Sequence, residues 1–235
     1  AVHIAAKNYA GEIFFLSEVN PGLRYVEWWK WTPSLNSSFQ SFSEQFPLDT
    51  QFRDGLWLKA FERFFAIEAF ANEKSIERGF HAELDILLLN LDGYSSRLDT
   101  RGSGIFVPLA EPRTAVVSLM YWNNLETLSK LREFISDKQE GQNEMNVVAR
   151  FIQTDRSGFS MATEQVWDGK NWPYLARTAA SSDGIVDAAG LGLWLLGRGP
   201  LTTQCTIWTK HRRSSTASWP IEKLRFRLRG GRKLL

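Results

Sequence analysis

Two carboxylates stand two residues apart, just ahead of an apolar run, in His81-Ala82-Glu83-Leu84-Asp85-Ile86-Leu87-Leu88-Leu89. A run such as Ile86 to Leu89 belongs in a sheet buried on both faces, which carries Glu83 and Asp85 to the edge of a core. A charge at that place needs a partner cation or a full set of hydrogen bonds. In an extended strand, residues i and i+2 point to the same side. Glu83 and Asp85 are therefore expected to close on one hard divalent cation, which takes oxygen ligands, or on one patch of a charged ligand. The plain alternative is a helix cap or a solvated turn, and acid-x-acid tripeptides are more often that.

The elements that must position this pair are read from periodicity. Ile13 to Leu16 is a buried strand, closed by the turn around Asn20-Pro21-Gly22, and Ser37 to Phe46 is a short helix. Trp28, Trp29 and Trp31 can stack sugars, but such clusters more often fill a core or interface. Asp54 to Lys74 is the strongest helix, with Asp54 as its N-cap. Trp57, Leu58, Phe61, Phe64, Phe65, Ile67 and Phe70 make it apolar almost all round, so it is buried on more than one side. Arg63 lies on its polar break with Lys59 and Glu62. It either pairs with a neighbouring carboxylate or is aimed at a phosphate. Gly79 to Leu89 is the central strand, Gly93 to Gly104 a turn-rich loop, and Ile105 to Val107 and Thr114 to Trp122 further strands. Asn123 to Glu126 opens a helix to about Asp137, and Asn143 to Gln153 is an amphipathic helix. From Thr154 to Ser182 the pattern fades into loop. A small-residue segment follows at Asp183 to Gly192, then strands at Thr203 to Thr209 and Leu224 to Arg229. Alternating strands and helices predict an α/β fold with a mostly parallel sheet covered on both faces. Ligands in such sheets bind beyond the carboxyl ends of the strands.

Composition narrows the class. The 235 residues suit one sizeable domain, and 43% hydrophobic with 23% charged residues excludes general disorder. No stretch approaches the roughly 20 apolar residues of a membrane span. One cysteine, Cys205, excludes an internal disulfide framework, and the absence of a cysteine cluster with three scattered histidines weighs against a structural zinc site. A reducing, cytoplasmic location is expected. The formal charge is +2, yet Lys210 to Leu235 holds nine Lys or Arg against one Glu, leaving 19 basic and 25 acidic residues elsewhere. That end can meet a diphosphate, an anionic membrane surface or nucleic acid, or can simply be solvated. Basic residues confined to one end, with no recognition helix, weigh against nucleic acid.

Four segments together resemble a family of bacterial-type nucleotide-sugar glycosyltransferases with the A-type fold. They are Phe61-Glu62-Arg63-Phe64-Phe65, then Phe80-His81-Ala82-Glu83-Leu84-Asp85-Ile86-Leu87-Leu88, which is similar to the family's F-H-x-E-x-D-x-L-L acidic motif. Ala115 to Asn124 with Asn143-Glu144-Met145 follows. Last comes Gly184-Ile185-Val186-Asp187-Ala188-Ala189-Gly190-Leu191-Gly192 with Gly197 and Pro200. The resemblance implies transfer of a sugar from a nucleoside-diphosphate sugar to a hydroxyl of a glycan or glycolipid acceptor, with Mn²⁺ or Mg²⁺ as cofactor. Asp85 would be the principal metal ligand, and Glu83 would hold the metal through water, the ribose or the sugar. Arg63 would reach the phosphates or the sugar. Asp187 would face the acceptor as hydroxyl binder or general base, or else cap the helix after it.

The chain also departs from that family. Its histidine-bearing terminal strand is matched here by Leu224 to Arg229, with Arg225 and Arg227 at the histidine positions. These arginines are expected to neutralise the diphosphate directly, or the metal is held by fewer protein ligands. The family's first strand precedes a helix of which Ala1 to Lys7 matches only the end, so the first strand is expected to be lacking. The resulting layout is a single domain, with the nucleotide-sugar part about 1–110, the acceptor-side part about 111–209, and the basic end 210–235, which also offers peripheral membrane contact. The alternative is a non-catalytic relative that binds a glycan or partner through its tryptophans.

Overall fold

A computed structural model of the chain describes residues 11–24, 26–46, 48, 55–83, 86–88, 92–138, 142–161, 185–187, 226–227 and 233–234. Its strands are β1 (Phe14–Ser17), β2 (Glu27–Lys30), β3 (Gly79–Ala82), β4 (Ile86–Leu88), β5 (Ile105–Glu111), β6 (Thr114–Ala115), β7 (Leu119–Trp122), β8 (Gly158–Met161), β9 (Ile185–Asp187), β10 (Phe226–Arg227) and β11 (Lys233–Leu234). The helices are α1 (Ser37–Glu44), α2 (Leu56–Lys74), α3 (Asp92–Asp99), α4 (Leu125–Lys138) and α5 (Glu144–Thr154). The α/β class therefore holds.

The main sheet runs β3-β7-β5-β6, with β8 also paired to β5. Its β3/β7, β5/β7 and β5/β6 pairings are antiparallel, and only β5/β8 is parallel. The expectation of a mostly parallel sheet thus fails for the described strands. The reason is local: Pro112 and Arg113 alone join β5 to β6, and so short a connection can only reverse the chain. Elsewhere β1 pairs with β2 in parallel, β4 with β9 and β10 with β11 antiparallel.

The period of two along the strands sorts the core into two sides. Ile105, Val107, Met120 and Trp122 face the helical side, packed with Phe61, Phe64 and Phe65 of α2, Leu128, Leu131 and Ile135 of α4, and Val147, Val148 and Phe151 of α5. Phe106, Leu119 and Tyr121 face the other side, with Ile86, Leu98 of α3 and Met161. Every residue of β7 is buried, as a strand covered on both faces requires.

Several boundaries differ from expectation. The helix α2 begins at Leu56 with Gly55 in the left-handed region (φ 82°) at its N-cap, and Asp54 lies outside the described residues. The supposed loop from Gly93 contains α3, and the supposed loop after Thr154 contains β8. Thr114 to Trp122 does run back along β5, but it breaks between β6 and β7, near an irregular register at Leu109/Glu111. The segments Ala1 to Lys7 and Thr203 to Thr209 lie outside the described residues.

Trp31 belongs to the core and the half-buried Trp29 packs against it, whereas Trp28 is 36% exposed. Trp31 is 6% exposed, and its indole N–H donates to Glu62 on α2 (2.5 Å). Burial pushes the Glu62 carboxyl up, and the Trp31 bond pulls it back. Trp29 donates to Glu73 at 3.0 Å and meets the Phe70 ring edge-on. The chain of rings continues through Phe39 and Phe42 to Phe65, at centroid distances of 5.5 and 5.0 Å. Phe65→Ala is expected to cost about 3–5 kcal/mol of unfolding free energy, read as a lower urea midpoint at unchanged m-value. A loss below about 1 kcal/mol would show that this ring is not a keystone of the helical side.

Candidate functional site

The site forms where α2 crosses the end of β3. The helix is held down by Phe61, Phe64 and Phe65, all buried, and this fixes Arg63 on the sheet side of its polar break. The Arg63 Nε–H donates to the Ala60 carbonyl (2.8 Å), which turns the guanidinium along the helix. Its Nη1 forms an ion pair with Glu83 Oε1 and approaches the Val117 carbonyl at 3.5 Å. Among the described residues, the carboxylate that Arg63 pairs with is thus not Glu62 of its own helix but Glu83, just past the end of β3. The Arg63 side chain is 19% exposed and that of Glu83 is 39% exposed, so this pair is the part of the cluster that water reaches.

Glu83 is placed by the backbone. Its N–H donates to the Ser118 carbonyl (2.9 Å), within the break between β6 and β7. Its own carbonyl accepts from Ile86 N–H (3.0 Å), a contact three residues on that a continuous strand would not make. The expected strand from Gly79 to Leu89 is therefore two strands, β3 and β4, with the acidic motif between them. The same-side alternation invoked for Glu83 and Asp85 does not apply across that break, and Asp85 itself lies outside the described residues.

Two further polar side chains are buried in this part of the molecule. His81 lies on β3 opposite Met120 of β7, on the helical side of the sheet. Glu144 is the first residue of α5, 6% exposed, behind its N-cap Asn143, whose side chain accepts from Asn146 N–H. Among the described residues, His81 Nε2 and Glu144 Oε2 are buried without a hydrogen bond. Burial first, and then the Arg63 charge, pushes the His81 imidazole down to about 3, so the ring is neutral. Burial pushes the Glu144 carboxyl up; Arg63 and its own backbone N–H pull it back, and Glu83 raises it further.

The remaining expected residues separate into two groups. Asp187 ends β9, directly across from Ile86 in the β4/β9 register. Its strand is thereby set beside the residue that follows Asp85, about a hundred positions away in sequence. Arg227 lies in β10, paired with Lys233 of β11, and among the described strands β10 pairs with β11 alone. It is therefore not brought to the Glu83 corner by any described pairing, and Arg225 lies outside the described residues. Among the described residues, no group of three or more His, Cys, Asp or Glu is gathered tightly enough to hold a metal ion, and no helix is long and apolar enough to cross a membrane.

Glu144 and His81 were not singled out from the sequence. A signal existed for Glu144: it shares the i, i+3, i+4, i+7 stripe with Val147, Val148 and Phe151, all of which are fully buried. A carboxylate on an apolar stripe marks a buried charge.

Comparison of the chain with protein-family models, with curated proteins and with solved structures finds no match. Function therefore rests on the geometry of the cluster and the pairing of β4 with β9.

Because the folded imidazole holds its proton far less tightly than the ordinary 6.5, the folded state loses stability as pH falls from about 6.5 toward about 3. His81→Gln is expected to flatten that limb of the urea stability profile. Parallel profiles for wild type and variant would contradict the burial assigned to His81.

Proposed function

We propose that the chain is a glycosyltransferase with an A-type scaffold, moving a sugar from a nucleoside-diphosphate sugar to a hydroxyl of a glycan or glycolipid. The observation that carries this reading is the β4/β9 pairing, which sets Asp187 across from Ile86, next to the acidic motif whose Glu83 is bound by Arg63. A cation, two or three carboxylates and a sheet edge are what a diphosphate leaving group and an acceptor hydroxyl together need.

The Arg63–Glu83 pair supports the reading through its charge arithmetic. An incoming diphosphate offers Arg63 a planar, bidentate partner of higher charge than one carboxylate. Arg63 would exchange Glu83 for the diphosphate and hold it in line for departure. Glu83, released, would turn to the cation or to ribose hydroxyls. A divalent cation held by Glu83 and Asp85, Mn²⁺ or Mg²⁺, would supply Lewis-acid stabilisation of the leaving diphosphate. The oxygen chemistry of these residues fits such a hard ion. Asp187 would orient the acceptor hydroxyl and, in an inverting reaction, take its proton. Before ligand arrives, Glu83 acts as a placeholder that keeps the Arg63 guanidinium from being stranded at the edge of the core.

Thermal unfolding in the presence of a panel of nucleoside diphosphates tests this. One diphosphate is expected to raise Tm in a Mn²⁺-dependent way, with the rise lost in Asp85→Asn and in Arg63→Met; at one hundred times Kd the stabilisation is about 2.7 kcal/mol. Absence of any response to every diphosphate, with or without the metal, would overturn the assignment.

A further inference from the structure

We propose that Asp99 and Tyr121 are positioning residues of the acidic corner: their hydrogen bond seats Ile86, the residue through which the segments of Glu83 and Asp187 are joined. This rests on the glycosyltransferase reading and adds to it what holds those two segments in place.

Ile86 is where the two segments meet. Its N–H donates to the Glu83 carbonyl (3.0 Å), and its register partner on β9 is Asp187. Among the described strands β4 and β9 pair only with each other, so no strand ladder ties them to the main sheet. Packing seats them instead. The Ile86 side chain, 2% exposed, lies in one apolar cluster with Leu98 of α3, Phe106 of β5, and Leu119 and Tyr121 of β7. A close-packed interior passes on small displacements, so Ile86 is held only as well as the groups it rests on.

Two of those groups are fixed by one carboxylate. Asp99 Oδ1 accepts from the Tyr121 hydroxyl (2.7 Å) and from Asn123 Nδ2 (2.9 Å), and Oδ2 faces the Arg78 guanidinium at 3.6 Å. The buried Tyr121 is thereby held at both ends, its ring 4.5 Å from that of Phe80 and its hydroxyl on Asp99. Leu98 is the neighbour of Asp99 in the chain and is anchored with it. Asn123 extends the network, its Oδ1 accepting from Gly104 N–H (2.7 Å) just ahead of β5. Asp99 ends α3, where a carboxylate meets the negative end of the helix dipole. Its three donors all come from outside α3, so they tie the end of that helix to β7 and offset the unfavourable dipole. Tyr121 and Leu98 lie on the side of the sheet opposite α2 and Arg63, and the network acts on the acidic corner through Ile86.

The experiment measures calorimetric affinity for uridine, guanosine and adenosine diphosphates in Mn²⁺, ligand-free Tm, and hydrogen exchange of the Ile86 amide. The proteins are wild type, Tyr121→Phe, Asp99→Ala, Asp99→Asn and Ile135→Val. Tyr121→Phe and Asp99→Ala are expected to bind the tightest of these diphosphates at least about tenfold more weakly, since small misplacements at a site cost that much or more, and to exchange Ile86 faster. Asp99→Asn keeps an acceptor for Tyr121 and Asn123 and is expected to bind as wild type does. Ile135→Val, a core change on the helical side, is expected to lower Tm with affinity unchanged. Unchanged affinity in Tyr121→Phe or Asp99→Ala, failure of both to fold, or an equal loss in Ile135→Val would assign the network to stability and overturn the inference. Weaker binding without faster Ile86 exchange would overturn the route through Ile86. Each of these leaves the glycosyltransferase reading standing, whereas a wild type that binds no diphosphate would overturn that reading and this inference with it.

Discussion

A guanidinium on a helix buried on several sides must be neutralised where that helix meets the sheet, and this requirement organises the candidate site. The helix α2 is pinned by the burial of Phe61, Phe64 and Phe65, which fixes the backbone from which Arg63 reaches out. Its carboxylate partner, Glu83, is supplied from the end of β3. The Glu83 N–H is in turn tied to the Ser118 carbonyl, so the interruption between β6 and β7 is where the strand of the acid and the strand beside it are locked together. Desolvation sets the strength of this arrangement. At 39% exposure Glu83 is screened by water, and the pair contributes little to stability, on the order of 1 kcal/mol or less. It is an interaction weak enough to exchange and placed where exchange has consequences.

Helices and strands with strong periodicity were legible in the sequence because one interaction decides them. The apolar runs of β5 and β7 and the apolar wrap of α2 follow from burial alone, and α5 was marked by its amphipathic pattern from Asn143 to Gln153. Strand direction was not legible. Regular alternation of strands and helices suggests crossovers, but the Pro112-Arg113 connection and the return of β7 along β5 make antiparallel pairs, a property of turns rather than of periodicity. The helix α3 was missed because Gly93, Tyr94, Ser95 and Ser96 have weak helix propensity, and tertiary packing of Leu98 overrides it.

The site was legible in part. Glu83 and Arg63 were both expected to carry charge chemistry, and the structure joins them directly. Asp187 was reached only through a long-range motif, and the β4/β9 register gives that motif a place beside Ile86. His81 and Glu144 stood in the quoted segments without a role of their own. Each is ordinary in sequence, a helix-start acid and a strand histidine, and becomes informative only when burial leaves its polar atom without a partner. The tryptophans could stack sugars or fill a core in sequence, the latter more often, and the structure packs Trp29 against Phe70 of α2 and Trp31 against Trp29 and Phe39.

The central claim is that ligand exchange at Arg63 opens the Arg63–Glu83 pair. It is tested most directly by side-chain NMR of the arginine Nε–H groups during titration with the nucleoside diphosphate that stabilises the protein, in the presence of Mg²⁺, which leaves the spectrum unbroadened. The Arg63 resonance is expected to shift at saturation, while that of Arg132, whose Nε donates to Glu68 at 2.9 Å on the α2–α4 contact, stays in place as an internal control. Saturable binding with Arg63 and Arg132 equally unmoved would contradict the claim and place the ligand elsewhere.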